Sequence, residues 1–264
     1  MNDLQKMKRT IGDRKRTAMP NKKSKSDWPC VKPKSNLKIS HLKGDDLITI
    51  QNYLTSAESK AFRDAAEAIG FVHQGSLGPT MGEAYRDNDR IAVNDPALAE
   101  AIWSAGLNKF FSDFKIRGKV AVGLNPNIRF YRYVTFAPSA DLDSTYVVTE
   151  ALYTAGQRFG RHIDESVDLG EGGRTYYTLL IYLSGAPGKS KAKSKNDSSS
   201  QDSLDPLVGG ETVFYGPRNA LVAEVAPTEG MALLHIHGDK CMLHEARNVS
   251  KGIKYILRSD VAFA

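Results

Sequence analysis

The stretch TYYTLLIYLSG, Thr175 to Gly185, runs β-branched and aromatic residues together between Gly172-Gly173 and a low-complexity tract, which is how a strand bounded by turn residues reads. Upstream of it lie VAVGL (120–124) and NIRFYRYV (127–134). Downstream come ETVFYG (211–216), ALVAEV (220–225), MALLHIH (231–237) and KYILRSDVAF (254–263). So many short strands, separated by Gly, Pro and polar turns, predict a sandwich or jelly roll over residues 119–264, an α+β fold that is mainly β. Two helices precede it. Thr55 and Glu58 form a capping-box pattern, and Ala57, Ala61, Phe62, Ala65, Ala66 and Ile69 recur on one helical face until Gly70. Asp95-Pro96 gives an N-cap with proline at the first helical position, followed by Leu98, Ala101, Ile102, Leu107 and Phe110. Residues 45–118 are therefore expected to supply helical support outside the β core.

The 264 residues are 41% hydrophobic and 25% charged, an ordinary balance for a globular protein with a proper core. No apolar stretch approaches the roughly 18 residues of a membrane span, and MNDLQKMKRTIGDRKRT lacks the apolar centre of a signal peptide. The expectation is an intracellular protein, cytoplasmic or nuclear, with no membrane partner. Cys30 and Cys241 are the only cysteines, too few for a disulfide framework. Residues 1–43 hold 13 Lys/Arg and three Asp, a net +10, which leaves −4 for the remainder. With Pro20, Pro29 and Pro33 and no periodicity, residues 1–44 read as a basic disordered tail: a solvated extension, an import signal or a nucleic-acid contact. Residues 185–208 (GAPGKSKAKSKNDSSSQDSLDPLV) read as a disordered loop between strands. The folded domain is expected over 45–264.

His162-Ile163-Asp164 sets two metal-ligating side chains two residues apart, and in an extended segment both point to the same side. His244, just beyond the MALLHIH strand, is the best-placed third ligand. Two His and one carboxylate make the facial triad that leaves open positions on a non-haem Fe(II). His237 is a rival third ligand, and Cys241 is near enough in sequence to reach the site. As bland alternatives, a lone His is more often a satisfied core or surface residue, and a lone Cys a small buried hydrophobe.

Five blocks raise the weight of that pattern: GQRFGRHIDES (156–166), TLLIYLSG (178–185), GGETVFY (209–215), PTEGMALLHIH (227–237) and LHEARNVSKGIKYILRSDV (243–261). In this order they resemble the prolyl 4-hydroxylase-like branch of the Fe(II)/2-oxoglutarate oxygenases, across about residues 120–264. The resemblance implies a double-stranded β-helix of jelly-roll or cupin type, with His162, Asp164 and His244 as iron ligands. It also implies Fe(II), 2-oxoglutarate and O2 as cofactor and co-substrates, supported by ascorbate, and hydroxylation of an unactivated C–H bond with release of succinate and CO2. Ten residues past the distal His such enzymes hold the far carboxylate of 2-oxoglutarate with Lys or Arg, and Lys254 stands there. Arg258, on the same strand face, is the alternative. Tyr182 and Tyr133 match tyrosines of the co-substrate pocket, or else are core tyrosines. Gly209-Gly210 and Thr212 read as turn and strand geometry.

One departure stands out. Relatives pass almost directly from the RFYRY strand to the GQxFxxHxD block, whereas residues 134–154 (VTFAPSADLDSTYVVTEALYT) intervene here. This insertion is either a hairpin over the site or translated intron sequence. The substrate implied is a prolyl or other side chain of a protein or peptide. Alternatives are a small-molecule hydroxylase of the same chemistry, a catalytically silent metal- or partner-binding barrel, and a protein associated with nucleic acid through its basic tail. Oligomeric state is not legible.

Overall fold

A computed structural model of the chain describes residues 28–76, 84–135, 156–187 and 206–264. The N-terminal part contains β1 (Lys38–Lys43), β2 (Leu47–Gln51), α1 (Ser56–Ile69), β3 (Val72–Gly75) and β4 (Arg86–Asn94). It continues through α2 (Pro96–Ile102), a π-helical turn at Trp103–Leu107 and the short α3 (Asn108–Phe110). Strands follow: β5 (Lys115–Ile116), β6 (Lys119–Leu124), β7 (Asn127–Val134), β8 (Arg158–His162), β9 (Asp168–Gly170) and β10 (Gly173–Tyr182). The remainder is β11 (Val208–Gly209), β12 (Thr212–Tyr215), β13 (Leu221–Val225), β14 (Ala232–Ile236), β15 (Leu243–Ala246), β16 (Val249–Lys251) and β17 (Ile253–Phe263).

Along the main sheet the strand order is β1-β2-β14-β10-β17-β7-β4-β8-β15-β12-β13, and neighbours pair antiparallel. His235 follows Leu234 on β14 and His244 lies on β15, six places away in that order, yet their rings are 4.6 Å apart between centroids. The sheet has therefore curled until its inner face meets itself, as a jelly roll does.

The opening stretch of β10 shows how the two faces are assigned. Leu179 and Ile181 enter one apolar cluster with Phe62 of α1, Ile102 of α2, Phe130 and Leu257. Leu180 and Tyr182 enter the other, with Tyr133, Phe214, Leu233 and Ile256 inside the barrel. A strand covered on both faces must be apolar at consecutive positions. This is why TYYTLLIYLSG reads as a continuous run instead of an alternation.

Both helix starts agree with the sequence. Thr55 Oγ1 accepts from the Glu58 amide at 3.2 Å while Glu58 accepts from the Thr55 amide at 2.8 Å, and Asp95 caps α2 through the Leu98 amide. Three expectations need correction. Ile69 is 54% exposed, because α1 buries a stripe centred on Phe62 and Ala66 that does not reach its last turn. Residues 45–118 are not purely helical support: β4 sits in the main sheet between β7 and β8. Its polar sequence RDNDRIAVN hid it, but Asn88 and Asp89 are buried and Asp89 pairs with Arg132 across β7 at 2.9 Å.

Third, the domain begins before residue 45. Trp28 stacks on Phe130 at 4.7 Å, Val31 is buried and β1 pairs with β2. Residues 28–44 are thus part of the fold in spite of their basic, Pro-rich composition. Glu58 fastens them, accepting from the Lys32 amide at 2.9 Å and from Lys34 Nζ at 2.8 Å. The reading of 1–44 as a tail otherwise falls on residues 1–27, outside those described. The expected loop at 185–208 is described only at its ends, where Ala186 bridges Thr228 and Val208 pairs with β16. Of the insertion, Val134 and Thr135 are described. Thr135 bridges Gly156 antiparallel, so the chain leaves β7 and rejoins the β8 approach at adjacent points. Gly156 is required there, since a Cβ would lie 1.8 Å from the Val249 carbonyl oxygen.

Burial alone would raise the Glu58 carboxyl, but hydrogen bonds from Lys32, Lys34 and Thr55 leave it below the ordinary carboxylate range. A depressed folded value contributes stability above the unfolded value and loses it as pH falls through the folded one. Glu58→Ala is therefore expected to cost about 2 kcal/mol at neutral pH in urea unfolding, with the gap to wild type narrowing in acid. A loss under about 0.5 kcal/mol would contradict the role given to this tie.

Candidate metal centre

His162 ends β8 and Asp164 follows two residues on, while His244 lies on β15, register-paired with His162. Their side chains meet in the barrel interior. His162 Nε2 is 3.7 Å from Asp164 Oδ1, and His244 Nε2 is 3.7 Å from Asp164 Oδ2. Ligating atoms of all three lie within 4.8 Å of one another. The backbone fixes the tautomers. His162 Nδ1 is 2.8 Å from the Gly160 carbonyl and His244 Nδ1 is 2.9 Å from the Met242 carbonyl. A carbonyl can only accept, so each Nδ1 carries the proton and each Nε2 offers its lone pair to the centre, as ligating histidines are usually held.

Electrostatics favour the same protonation states. Burial, reinforced by the neighbouring His244, pushes the His162 imidazole down to about 3, and burial lowers His244 as well. Both rings are neutral at physiological pH. Burial would raise the Asp164 carboxyl, but the Arg258 guanidinium and the surrounding imidazoles hold it well below the ordinary range. The centre is thus one carboxylate and neutral imidazoles, the donor chemistry that suits a divalent transition metal.

Each remaining candidate has a definite place. Arg258, buried on β17, puts Nη2 3.0 Å from Asp164 Oδ1 and 3.7 Å from Asp260 Oδ1. Lys254, four residues earlier, is fully buried; its Nζ donates to the Gly210 carbonyl at 2.5 Å and lies 5.3 Å from the Tyr133 ring and 5.7 Å from the Tyr182 ring. Burial pulls that ammonium down to about 7. Tyr182 Oη pairs with Thr212 Oγ1 at 2.7 Å. A cavity of about 40 Å³ beside the ligands is lined by Tyr133, Thr212 and Arg258 among others, with Lys254 and Tyr182 outside its lining. Gly210 does more than shape a turn: its φ is +74°, its carbonyl receives Lys254, and a Cβ there would come within 2.9 Å of the Lys254 side chain.

His237, the rival ligand, is engaged elsewhere. Nδ1 is 3.0 Å from Thr178 Oγ1 and Nε2 is 2.9 Å from Thr175 Oγ1, and Thr178 Oγ1 in turn donates to Asp164 Oδ2 at 2.8 Å. His237 therefore braces the carboxylate through a threonine. Cys241 receives the Asp164 amide on Sγ at 3.2 Å, and burial raises its thiol to about 11, so it is protonated at neutral pH. The sequence did not single out Thr178, although its partner across β10 and β14 is His235; strand register was the missing signal. On the other side of Asp164 a cleft of about 1350 Å³ opens to solvent, walled by Lys43, Asp113, Arg117, Glu165, Arg174 and Lys240 among others.

Neither a protein-family model nor a curated protein matches the sequence. Solved structures do resemble it. A prolyl hydroxylase from Trichoplax adhaerens, in complex with a hypoxia-inducible-factor oxygen degradation domain peptide fragment, aligns with a TM-score of 0.50 at 17% identity, covering 83% of this chain and 85% of its own. That alignment establishes a shared fold. A viral collagen prolyl hydroxylase from Paramecium bursaria chlorella virus 1, in its 2-oxoglutarate complex, aligns at TM-score 0.49 and 18% identity, covering 85% and 99%. A Pseudomonas putida prolyl-4-hydroxylase gives 0.45 and 13%, covering 82% and 91%.

The geometry separates the two histidines near β15. His244→Ala is expected to abolish tight binding of Co(II) or Fe(II) in calorimetric titration, whereas His237→Ala weakens it by about tenfold at most. Loss of binding in the His237 variant alone would reverse the assignment.

Proposed function

We propose that the chain is an Fe(II)- and 2-oxoglutarate-dependent oxygenase that hydroxylates an unactivated C–H bond of a protein or peptide side chain, a prolyl residue being the first choice. One observation carries this reading: His162, Asp164 and His244 converge inside a jelly-roll barrel with both Nε2 lone pairs aimed at the carboxylate. Bound there, Fe(II) with 2-oxoglutarate and O2 would supply the oxidising chemistry, yielding succinate, CO2 and the hydroxylated product.

The protein's own part is to hold, neutralise and shield. His162, Asp164 and His244 would hold the metal, their orientation set by the Gly160 and Met242 carbonyls and by Thr178. The far carboxylate of 2-oxoglutarate needs a cation inside the barrel, because a buried unpaired charge is costly. Two residues compete for that role. Arg258 lines the inner cavity, but its charge is already matched by Asp164 at 3.0 Å and by Asp260. Lys254 is fully buried, and its hydrogen-bond acceptor is a neutral carbonyl. Electrostatic balance therefore favours Lys254 as the clamp, with Tyr133, Tyr182 and the Tyr182-bonded Thr212 around it.

A protein or peptide substrate is favoured over a small molecule by the outer cleft. Its volume of about 1350 Å³ exceeds the roughly 300–1,000 Å³ usual for small-ligand pockets, and it presents charges of both signs beside Asp164. The Trichoplax adhaerens protein of the same fold is described with a peptide bound.

The test is turnover. With Fe(II), ascorbate and a peptide library, the purified chain should convert 2-oxoglutarate to succinate, and His162→Ala should not. Lys254→Met is expected to raise KM for 2-oxoglutarate about thirtyfold or more, the loss of one charge-assisted contact. Unchanged KM there, with a large rise in Arg258→Met, would move the clamp to Arg258. Succinate formation persisting in His162→Ala would overturn the site.

A further inference from the structure

His235 takes no part in the account so far, yet it projects into the same centre. It is fully buried, and neither Nδ1 nor Nε2 has a hydrogen-bond partner among the described residues. Buried polar atoms are almost always paired, and an unpaired one asks for a cause such as an ion. The ring is wedged between His244, at 4.6 Å between centroids, and the edge-packed Phe214 at 5.2 Å. Its one polar neighbour given by the structure is the metal-binding carboxylate, with Nε2 3.6 Å from Asp164 Oδ2.

That distance matters. His162 and His244 each place Nε2 3.7 Å from an Asp164 oxygen, so His235 stands as near the carboxylate as either assigned ligand. Two donors bound to one ion, each about 2.1 Å from it, are roughly 3 to 4 Å apart. His235 also groups with His244 and Cys241 by ligand-atom distances. Cys241 is set aside because its sulfur already accepts the Asp164 amide. Strand register explains the placement: His235 pairs with Thr178 across β10 and β14, and Thr178 grips Asp164, so the side chain beside Thr178 on the inner face necessarily arrives at the carboxylate.

The geometry points to His235 as a fourth protein ligand, so that the metal is held by three imidazoles and one carboxylate. This rests on the metal centre proposed above and extends it. An octahedral ion held this way keeps two positions, enough for a chelating 2-oxo acid. It also separates His235 from a merely structural residue, for which phenylalanine would fill the same space without stranding two polar nitrogens.

The deciding experiment counts coordinated imidazoles. The full chain is loaded with one equivalent of Co(II), and its hyperfine-shifted, exchangeable imidazole N–H resonances are recorded by proton NMR, where each ligating ring contributes one. The protons on His162 and His244 are hydrogen-bonded and the His235 ring is fully buried, so all are protected from rapid exchange. Three signals are expected in wild type and two in His235→Phe, with Co(II) affinity in the variant lower by about tenfold or more. Two signals in wild type would overturn the fourth ligand while leaving the metal centre intact. Failure of wild type to take up Co(II) would overturn the metal centre and the inference with it. The wild-type count needs no substitution, so a poorly folding variant cannot obscure the answer.

Discussion

The carboxylate of Asp164 is the charge on which the interior of this barrel depends. It is 6% exposed, and a buried carboxylate is tolerated only when neighbouring groups compensate it. The compensation comes from separate strands: Arg258 from β17, Thr178 from β10, His162 from the end of β8 and His244 from β15. His235, at the end of β14, adds a fifth. These strands are neighbours only because the sheet curls, so curvature and charge compensation are one requirement seen twice. The loop before β15 contributes through the backbone, with Gly238 N–H donating to the Asp164 carbonyl.

Around this centre the chain sorts its cations by partner. Arg258 and Lys254 share a strand face, two residues either side of Ile256, and both are buried. Arg258 has carboxylates at both hands, and its charge is stabilised by them in spite of burial. Lys254 has a carbonyl and two aromatic faces, and burial pulls it down to about 7. Residues of like charge with such different surroundings serve different purposes. One is internal to the centre; the other is free to meet an anion that enters. The proposed function assigns 2-oxoglutarate to that place and the wide outer cleft to a peptide.

Much of this was legible in the sequence, for identifiable reasons. Thr55 with Glu58 and Asp95 with Pro96 are local signals, complete within a few residues, and both caps form as read. The pairing of His162 with Asp164 is likewise local, since period two in an extended segment puts them on one side. What escaped was decided at long range. β4 looked too polar to be a central strand because Asp89 is compensated by Arg132, a residue 43 positions later. Residues 28–34 looked like tail because Trp28 and Val31 find Phe130 and the α1 cluster only in the folded chain. His235 and His237 could not be distinguished by spacing, having the same parity. Their fates divide over which threonines flank them: His237 is saturated by Thr175 and Thr178, while His235 lies beyond their reach with both nitrogens unpartnered.

The central claim is that this centre holds Fe(II) and lets 2-oxoglutarate chelate it. The most direct measurement is anaerobic: Fe(II)-loaded protein is titrated with 2-oxoglutarate while visible absorption is followed. The account predicts a metal-to-ligand charge-transfer band that grows to saturation at one equivalent per chain and is absent with succinate, which lacks the 2-oxo group. Tight Fe(II) binding with no such band at saturating 2-oxoglutarate would contradict it.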